Sequence, residues 1–261
     1  MTPAARQLFL EQYAVIRHAE GRGSDDAAYY RALPYRDLSG KNAAQWRIRA
    51  RSFDHFLTRV LAPLEARAQR PLDVLDLGAG NGWMSRRLAL RGHRVIPVDI
   101  FNDERDGLGA IRKYAGLEAV AADFHQLPFP DSSFDAIVYN ASLHYSSDYA
   151  AALKEALRCL RPAALVAILD SPLYARPDDG ERMRRERQSF FEAQYGFRSE
   201  ALGSIEYLDR GMLARLSQEL GIQWRLSRPW YGWRWALRPL AARLRGRRPP
   251  SKWLVISGIR A

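Results

Sequence analysis

Asp73-Val74-Leu75-Asp76-Leu77-Gly78-Ala79-Gly80-Asn81-Gly82-Trp83 is a short apolar strand, a turn with glycine at every second position, and the start of a helix. Glycine suits such a turn because it takes positive φ without strain and lets a ligand approach the bare backbone. The amphipathic run Met84–Leu90 follows at once. On both sides the same alternation continues. Strands are expected at Leu72–Leu77, Arg94–Asp99, Leu117–Ala122, Phe134–Tyr139 and Leu165–Asp170, with helices at about 82–91, 104–115 and 148–160. This spacing implies βαβ units with right-handed crossovers, hence a mainly parallel sheet covered on both faces. A helix at about 209–220 and strands near Ile222–Leu226 and Trp253–Ile259 complete the pattern. The expected fold is α/β: a Rossmann-like, doubly wound, seven-stranded, mainly parallel sheet.

Upstream, residues 3–19 read as a helix, Gly21–Asp26 as a break, and Tyr29–Asn42 as an aromatic and basic loop. Helical spacing of Trp46, Phe53, Phe56, Leu57, Val60 and Leu61 predicts a helix over Ala43–Ala68, kinked or ended by Pro63.

Composition narrows the function classes. Seven tryptophans, twelve tyrosines and ten phenylalanines among 261 residues exclude a disordered chain. The longest apolar run, Ala163–Leu169, is far short of the ~20 residues needed to span a bilayer. Arg6, Glu11 and Arg17 interrupt any signal-peptide core, so a cytoplasmic location is expected. Cys159 is the only cysteine, which excludes an intrachain disulfide and a cysteine-based zinc site; no metal is expected. The net charge of +11 is local: after Glu219 there are ten basic residues and no acidic one. The same end holds Trp224, Trp230, Trp233, Trp235 and Trp253.

The glycine turn is shared by many nucleotide sites, but a dinucleotide fingerprint needs glycine at position 83, where this chain has Trp83. Asp76 would repel a pyrophosphate and suits a ligand carrying a positive group. Asp99 ends the second strand nineteen residues past Gly80, where a carboxylate can accept from both ribose hydroxyls. Asp123 ends the third strand, placed to accept from an adenine amino group while Phe124 packs on the ring. Together they point to one nucleoside across the carboxyl ends of three strands.

These residues resemble the class I S-adenosylmethionine-dependent methyltransferases of the small-molecule type. The matching stretches are Asp76–Gly82, Val98-Asp99-Ile100, Ala122-Asp123-Phe124, Leu127–Asp135 and Leu157–Pro162. The resemblance covers about 72–170 in detail and implies S-adenosylmethionine as cofactor. It implies that Asp76, Gly78, Ala79, Gly80 and Gly82 hold the methionine part, and that Asp99 and Ile100 hold ribose and adenine. Asp123 and Phe124 would hold adenine, with Asn140 beside the sulfonium. Ala163-Ala164 departs from the family's usual Gly-Gly, in a turn remote from the chemistry. The implied organisation is an N-terminal helical cap over 1–70 and a methyltransferase domain over 71–261. Within the latter lie a substrate-lid insertion at about 171–203 and a basic aromatic segment at about 228–252.

Asn140-Ala141-Ser142-Leu143-His144-Tyr145 lacks the Asn/Asp-Pro-Pro-Tyr/Phe signature of enzymes that methylate exocyclic amines of bases or glutamine. His144 is the candidate catalytic residue, as general base or acceptor-orienting group; a merely hydrogen-bonded loop histidine is the other reading. His125 is read as structural or exposed, and Cys159 as packing. Tyr29, Tyr30, Tyr35, Arg36, Lys41 and Trp46 are expected to close over the cofactor, a cation among them pairing with its carboxylate. In the insertion, Glu181–Arg187 reads as a solvated face, and Phe190, Phe191 and Tyr195 as acceptor-pocket candidates. Trp233, Leu237, Leu240 and Leu244 fall on one helical face, divided by Pro239. Three readings of that end stand open: packing on the sheet, peripheral contact with an anionic membrane at its inner face, and RNA binding; no DNA is expected. The favoured function is methyl transfer to a small, hydrophobic or lipid-linked metabolite. Its rivals are an RNA methyltransferase using the basic end and a non-catalytic cofactor-binding scaffold.

Overall fold

A computed structural model describes residues 2–260, the side chain of Arg260 excepted. Strands Asp73–Leu77 (β1), Arg94–Asp99 (β2), Val120–Ala121 (β3), Phe134–Asn140 (β4) and Leu160–Leu169 (β5) are parallel, in the order β3-β2-β1-β4-β5. Val255–Arg260 (β9) runs antiparallel to β5, and Ile222–Ser227 (β8) antiparallel to β9. The seven-stranded, mainly parallel sheet is the one expected from the sequence. Every residue of β4 is buried, as a central parallel strand covered on both faces requires. Opposite β1, Leu75 pairs with Ile96 on one side and Ile137 on the other. Strand order reverses between β1 and β4, and this switch point opens a crevice at the strands' carboxyl ends.

One face of the sheet carries Trp83–Leu90 (α5) together with Ala43–Phe56 (α3) and Ala62–Ala68 (α4). Trp46, Phe53, Phe56 and Leu61 share a buried cluster there with Val74, Ala136 and Ala167 of the sheet. Pro63 does not end this long helix: it stands in the first turn of α4, directly after a π-turn over Leu57–Leu61 that joins α3 to α4. The other face is covered by Tyr149–Cys159 (α6) and Arg210–Leu220 (α8), where Cys159 is fully buried among leucines.

Segment 1–70, expected as a cap, divides in two. The long helix belongs to the sheet's own core, whereas Pro3–Ala19 (α1) lies beside the crevice. Tyr29 and Tyr30, expected in a closing loop, sit in the short helix Ala27–Ala32 (α2) and are buried in that core with Trp46. The helix expected at 104–115 is instead a turn and a 3-10 helix over Leu108–Lys113. A β-carbon at Gly107 would stand 2.4 Å from the Phe101 carbonyl oxygen, so the chain doubles back too tightly there for a regular helix. The edge strand β3 keeps only two paired residues of the expected six. Strand β5 begins earlier than expected: Leu160 pairs with Phe134, and pairing resumes at Leu165 with Ala136 after a bulge at Ala163 with φ +59°.

After β5 come Leu173–Tyr174 (β6), the 19-residue helix Pro177–Tyr195 (α7) and Leu208–Asp209 (β7), with β6 and β7 paired in parallel. Between β8 and β9 stand two short helices, Trp233–Ala236 (α9) and Arg238–Leu244 (α10). Pro239 occupies the first turn of α10, where its missing donor costs nothing, so the helical stretch is divided at the expected residue.

Candidate active site

The crevice deepens into a cavity of about 710 Å³. Gly78, Ala79, Gly80, Asp99, Ile100, Asp123, Phe124 and Asn140 all line it, from four different loops at the carboxyl ends of β1 to β4. The turn is built as its glycines require. Gly78 has φ +73° and Gly80 φ +54°. A β-carbon on Gly78 would fall 2.2 Å from Cβ of Ser142, whose hydroxyl donates to the Leu77 carbonyl oxygen. A β-carbon on Gly80 would meet only the Asp106 carbonyl oxygen, at 3.5 Å, which leaves its other side open to the cavity.

Asp99 braces this turn. Its carboxylate accepts from the Gly80 amide at 2.8 Å and the Phe101 amide at 2.9 Å, and burial pushes its pKa upward. Asp123 accepts from its neighbour: His125 Nδ1 stands 2.7 Å from Oδ1, and that bond holds the carboxyl below its usual range. His125 Nε2 reaches Ser146 Oγ at 2.8 Å, so His125 is a brace for Asp123 rather than an exposed side chain.

Two of the sequence candidates do not line the cavity. Gly82 caps α5 with φ +71°, and a β-carbon there would strike Ile111, so its glycine serves helix packing. Asp76 lies under the turn. Its Oδ2 accepts from Ser85 Oγ at 2.7 Å, and its Oδ1 is buried without a partner. Burial and the nearby Asp99 charge push Asp76 up to about 6 against that hydrogen bond. The Asn140 Oδ1 atom is likewise buried and unpartnered. Unmet acceptors of this kind beside a cavity suit a ligand with donor or cationic groups.

Other lining residues went unseen in the sequence. Phe9, Tyr13, Ile16 and Arg17 of α1 form a wall, at a spacing of four, three and one that a helix-face reading of residues 3–19 would have grouped. Arg17 Nε donates to Asp106, which also accepts from Asn81 Nδ2 at 3.1 Å. The cations facing the cavity are Arg17, Arg22, Arg49 and Arg187; the expected Arg36 and Lys41 are absent from its lining, as are Tyr29, Tyr30, Tyr35 and Trp46. Arg49 is stacked over Trp46 at 5.1 Å, with a buried Nε that has no partner, and burial lowers its pKa.

His144 and Asp170 occupy the far end. His144 Nδ1 lies 3.3 Å from Ser171 Oγ. Burial, helped by the charges of Arg187 and Arg49, pulls the imidazole down to about 3, so it is neutral near pH 7. Asp170 ends the fifth parallel strand, with φ +51°. Its Oδ1 accepts from Ser52, its Oδ2 is buried and unpartnered, and burial pushes it up to about 6. The 171–203 insertion supplies the remaining wall through Met183, Arg187 and Phe191, one face of α7 at i, i+4 and i+8. Phe190 points away into solvent and Tyr195 lies outside the lining, so one of the three expected aromatics reaches the cavity. Arg187 leaves the expected solvated face to pair with buried Glu206 at 2.9 Å.

Residues 75–168 match the family described as "Methyltransferase domain". A malonyl-[acyl-carrier protein] O-methyltransferase of Halorhodospira halophila is 37% identical over 112 residues, covering 41% of this chain and 38% of that protein. A demethylmenaquinone methyltransferase of Beutenbergia cavernae is 37% identical over 139 residues, covering 52% of this chain and 51% of that protein. The chain thus spans about half or less of the length of these relatives. Among solved structures, a putative sarcosine dimethylglycine methyltransferase from Galdieria sulphuraria superposes with a TM-score of 0.59 at 18% identity, over 96% of this chain and 98% of that one. A 1,6-didemethyltoxoflavin-N1-methyltransferase from Burkholderia thailandensis gives 0.55 at 20% identity, over 100% and 91%. Residues 75–168 of this chain thus match a methyltransferase domain, and the chain as a whole has the fold of these solved methyltransferases.

Proposed function

We propose that the protein transfers a methyl group from S-adenosylmethionine to a small acceptor with a hydrophobic or lipid-linked body. The observation that carries this reading is the convergence of Gly78–Gly80, Asp99, Asp123 and Asn140 on one cavity at the switch point of the sheet. Its size, about 710 Å³, is in the range of sites that enclose a nucleoside-sized ligand and leave room beside it.

The residues present fit the cofactor. The unpartnered oxygen of Asn140, on the cavity lining, would meet a donor or cationic group of the cofactor, Asp76 adds negative charge from beneath the turn, and Arg17 and Arg49 offer charge to a carboxylate. Asp99 offers acceptors to ribose hydroxyls, and Phe124 an apolar surface to a base. When bound, S-adenosylmethionine supplies a methyl activated by its positively charged sulfur. This chain then has to align the acceptor, exclude water and take up a proton where the acceptor loses one. Phe9, Met183, Phe191 and Trp253 give the acceptor end an apolar lining. His144, held neutral, can orient the acceptor there by hydrogen bonding, and Asp170, pushed up to about 6, is the group at the same end placed to take up a proton. A relative named for demethylmenaquinone is in keeping with a small-molecule acceptor.

The test is incubation with methyl-deuterated S-adenosylmethionine and a cell extract divided into lipid, polar-metabolite and RNA fractions. Label in the lipid or metabolite fraction with release of S-adenosylhomocysteine is the expected result. Label confined to RNA would favour the rival enzyme, and cofactor binding without any release the scaffold.

A further inference from the structure

The excursion between β8 and β9 presents its apolar side to solvent instead of to the sheet. Trp230 is 58% exposed, Trp233 75%, Leu237 56%, Leu240 55% and Leu244 79%. Five large apolar side chains in 15 residues, all outward, form a patch with no counterpart elsewhere among the described residues. Such a patch marks a binding surface. The charge within the segment has one sign, although Arg248 is paired with Glu186 of α7 at 2.6 Å. From residue 220 onward there is no acidic side chain, and exposed Arg234, Arg243, Arg245 and Arg247 have no acidic partner among the described residues.

The platform beneath is fixed, so the outward stripe is not a loose end. Trp235 packs between Tyr231 at 4.9 Å and Trp253 at 5.6 Å, with the Arg238 guanidinium 3.7 Å above its ring. The Tyr231 hydroxyl lies 2.7 Å from Ser52 Oγ, and Ser52 donates to Asp170 in the cavity wall. Trp253 itself lines the cavity. The patch is therefore joined, residue to residue, to the end of the cavity that holds His144 and Asp170.

We propose that Trp230–Leu244 docks the protein on an anionic lipid surface, with the tryptophans and leucines entering the headgroup boundary and the arginines meeting lipid phosphates. A segment that exposes tryptophans and leucines beside arginines without acidic partners is matched to that boundary. A single-stranded nucleic acid would use the arginines and the two tryptophans but would gain nothing from three exposed leucines. The leucines decide for lipid. The proposal does not depend on methyl transfer, since docking needs neither cofactor nor acceptor.

The experiment is vesicle co-sedimentation of the full chain, using phosphatidylcholine alone or mixed with phosphatidylglycerol, over a salt series. Wild-type protein should bind the mixed vesicles, bind neutral ones at least about tenfold more weakly, and lose affinity with salt. Leu240→Glu/Leu244→Glu and, separately, Arg243→Gln/Arg245→Gln/Arg247→Gln should each weaken binding at least about tenfold with unchanged melting temperature, because all five positions are exposed. Equal binding to both vesicle types would overturn the proposal, as would undiminished binding of the leucine variant. Capture of an RNA oligonucleotide without vesicle binding would assign the surface to nucleic acid instead. S-adenosylmethionine binding measured on the same variants separates this outcome from a failure of the methyltransferase reading.

Discussion

Asp99 and His144 carry opposite kinds of burden, and each can be tested alone. Asp99 already accepts two backbone amides, so it fixes the turn before any ligand arrives. Its replacement by alanine removes both those bonds and the ones offered to ribose. Asp99→Ala should weaken S-adenosylmethionine binding by about 1.5–3 kcal/mol, the range for hydrogen bonds to a charged group, as read by calorimetry. Unchanged affinity would contradict the placement of the ribose. His144→Ala should slow turnover while leaving cofactor affinity nearly unchanged; full activity would reduce His144 to a packing residue. The imidazole also makes a pH prediction. Its pKa is about 3 in the folded protein against an ordinary 6.5, so the unfolded chain takes up a proton that the folded one refuses. Stability is thus lost as pH falls from 6.5 towards 3, and is unaffected by this group above 6.5. His144→Asn should lose less stability between pH 6.5 and 4 than wild type in denaturant titrations.

The glycine turn and α1 show how much of an element can be read before its partners are known. Gly78, Gly80, Asp99 and Asp123 were identifiable because backbone conformation and strand-end position are local properties of the sequence. Gly82 looked like a member of the same set, yet what demands glycine there is Ile111, a contact 29 positions away. Arg49, Asp170 and Arg187 escaped for the same reason: each reaches the cavity from an element whose docking depends on tertiary packing. Asp170 did carry a signal, an acid at the carboxyl end of a parallel strand, and the residues of α1 carried a helical face. Tyr29 and Tyr30 misled in the other direction, since an aromatic run reads alike whether it covers a ligand or fills a core. Gly78→Ala tests the turn itself. Positive φ and a 2.2 Å approach to Ser142 should cost about 1–3 kcal/mol of stability in urea unfolding and diminish cofactor binding. A neutral substitution would mean that the turn tolerates a side chain, contrary to the close approach described.

The molecule as a whole sets one cavity at the reversal of a sheet, walls it with α1 and α7, and sets a cationic, apolar outcrop behind its far end. Sheet order follows from alternating strands and helices and was foreseeable; which residues of α1 and α7 face the cavity was not, because that depends on how those helices dock. Cofactor occupancy should be visible globally. S-adenosylmethionine at about a hundred times its dissociation constant should add about 2.7 kcal/mol to unfolding, by mass action on the folded state. The most direct measurement is calorimetric titration of the full chain with S-adenosylmethionine, S-adenosylhomocysteine and NAD. Saturable one-to-one binding of the first two, with none of NAD, is the result that Gly78–Gly80, Trp83 and Asp99 predict. Binding of NAD, or of none of the three, would contradict it.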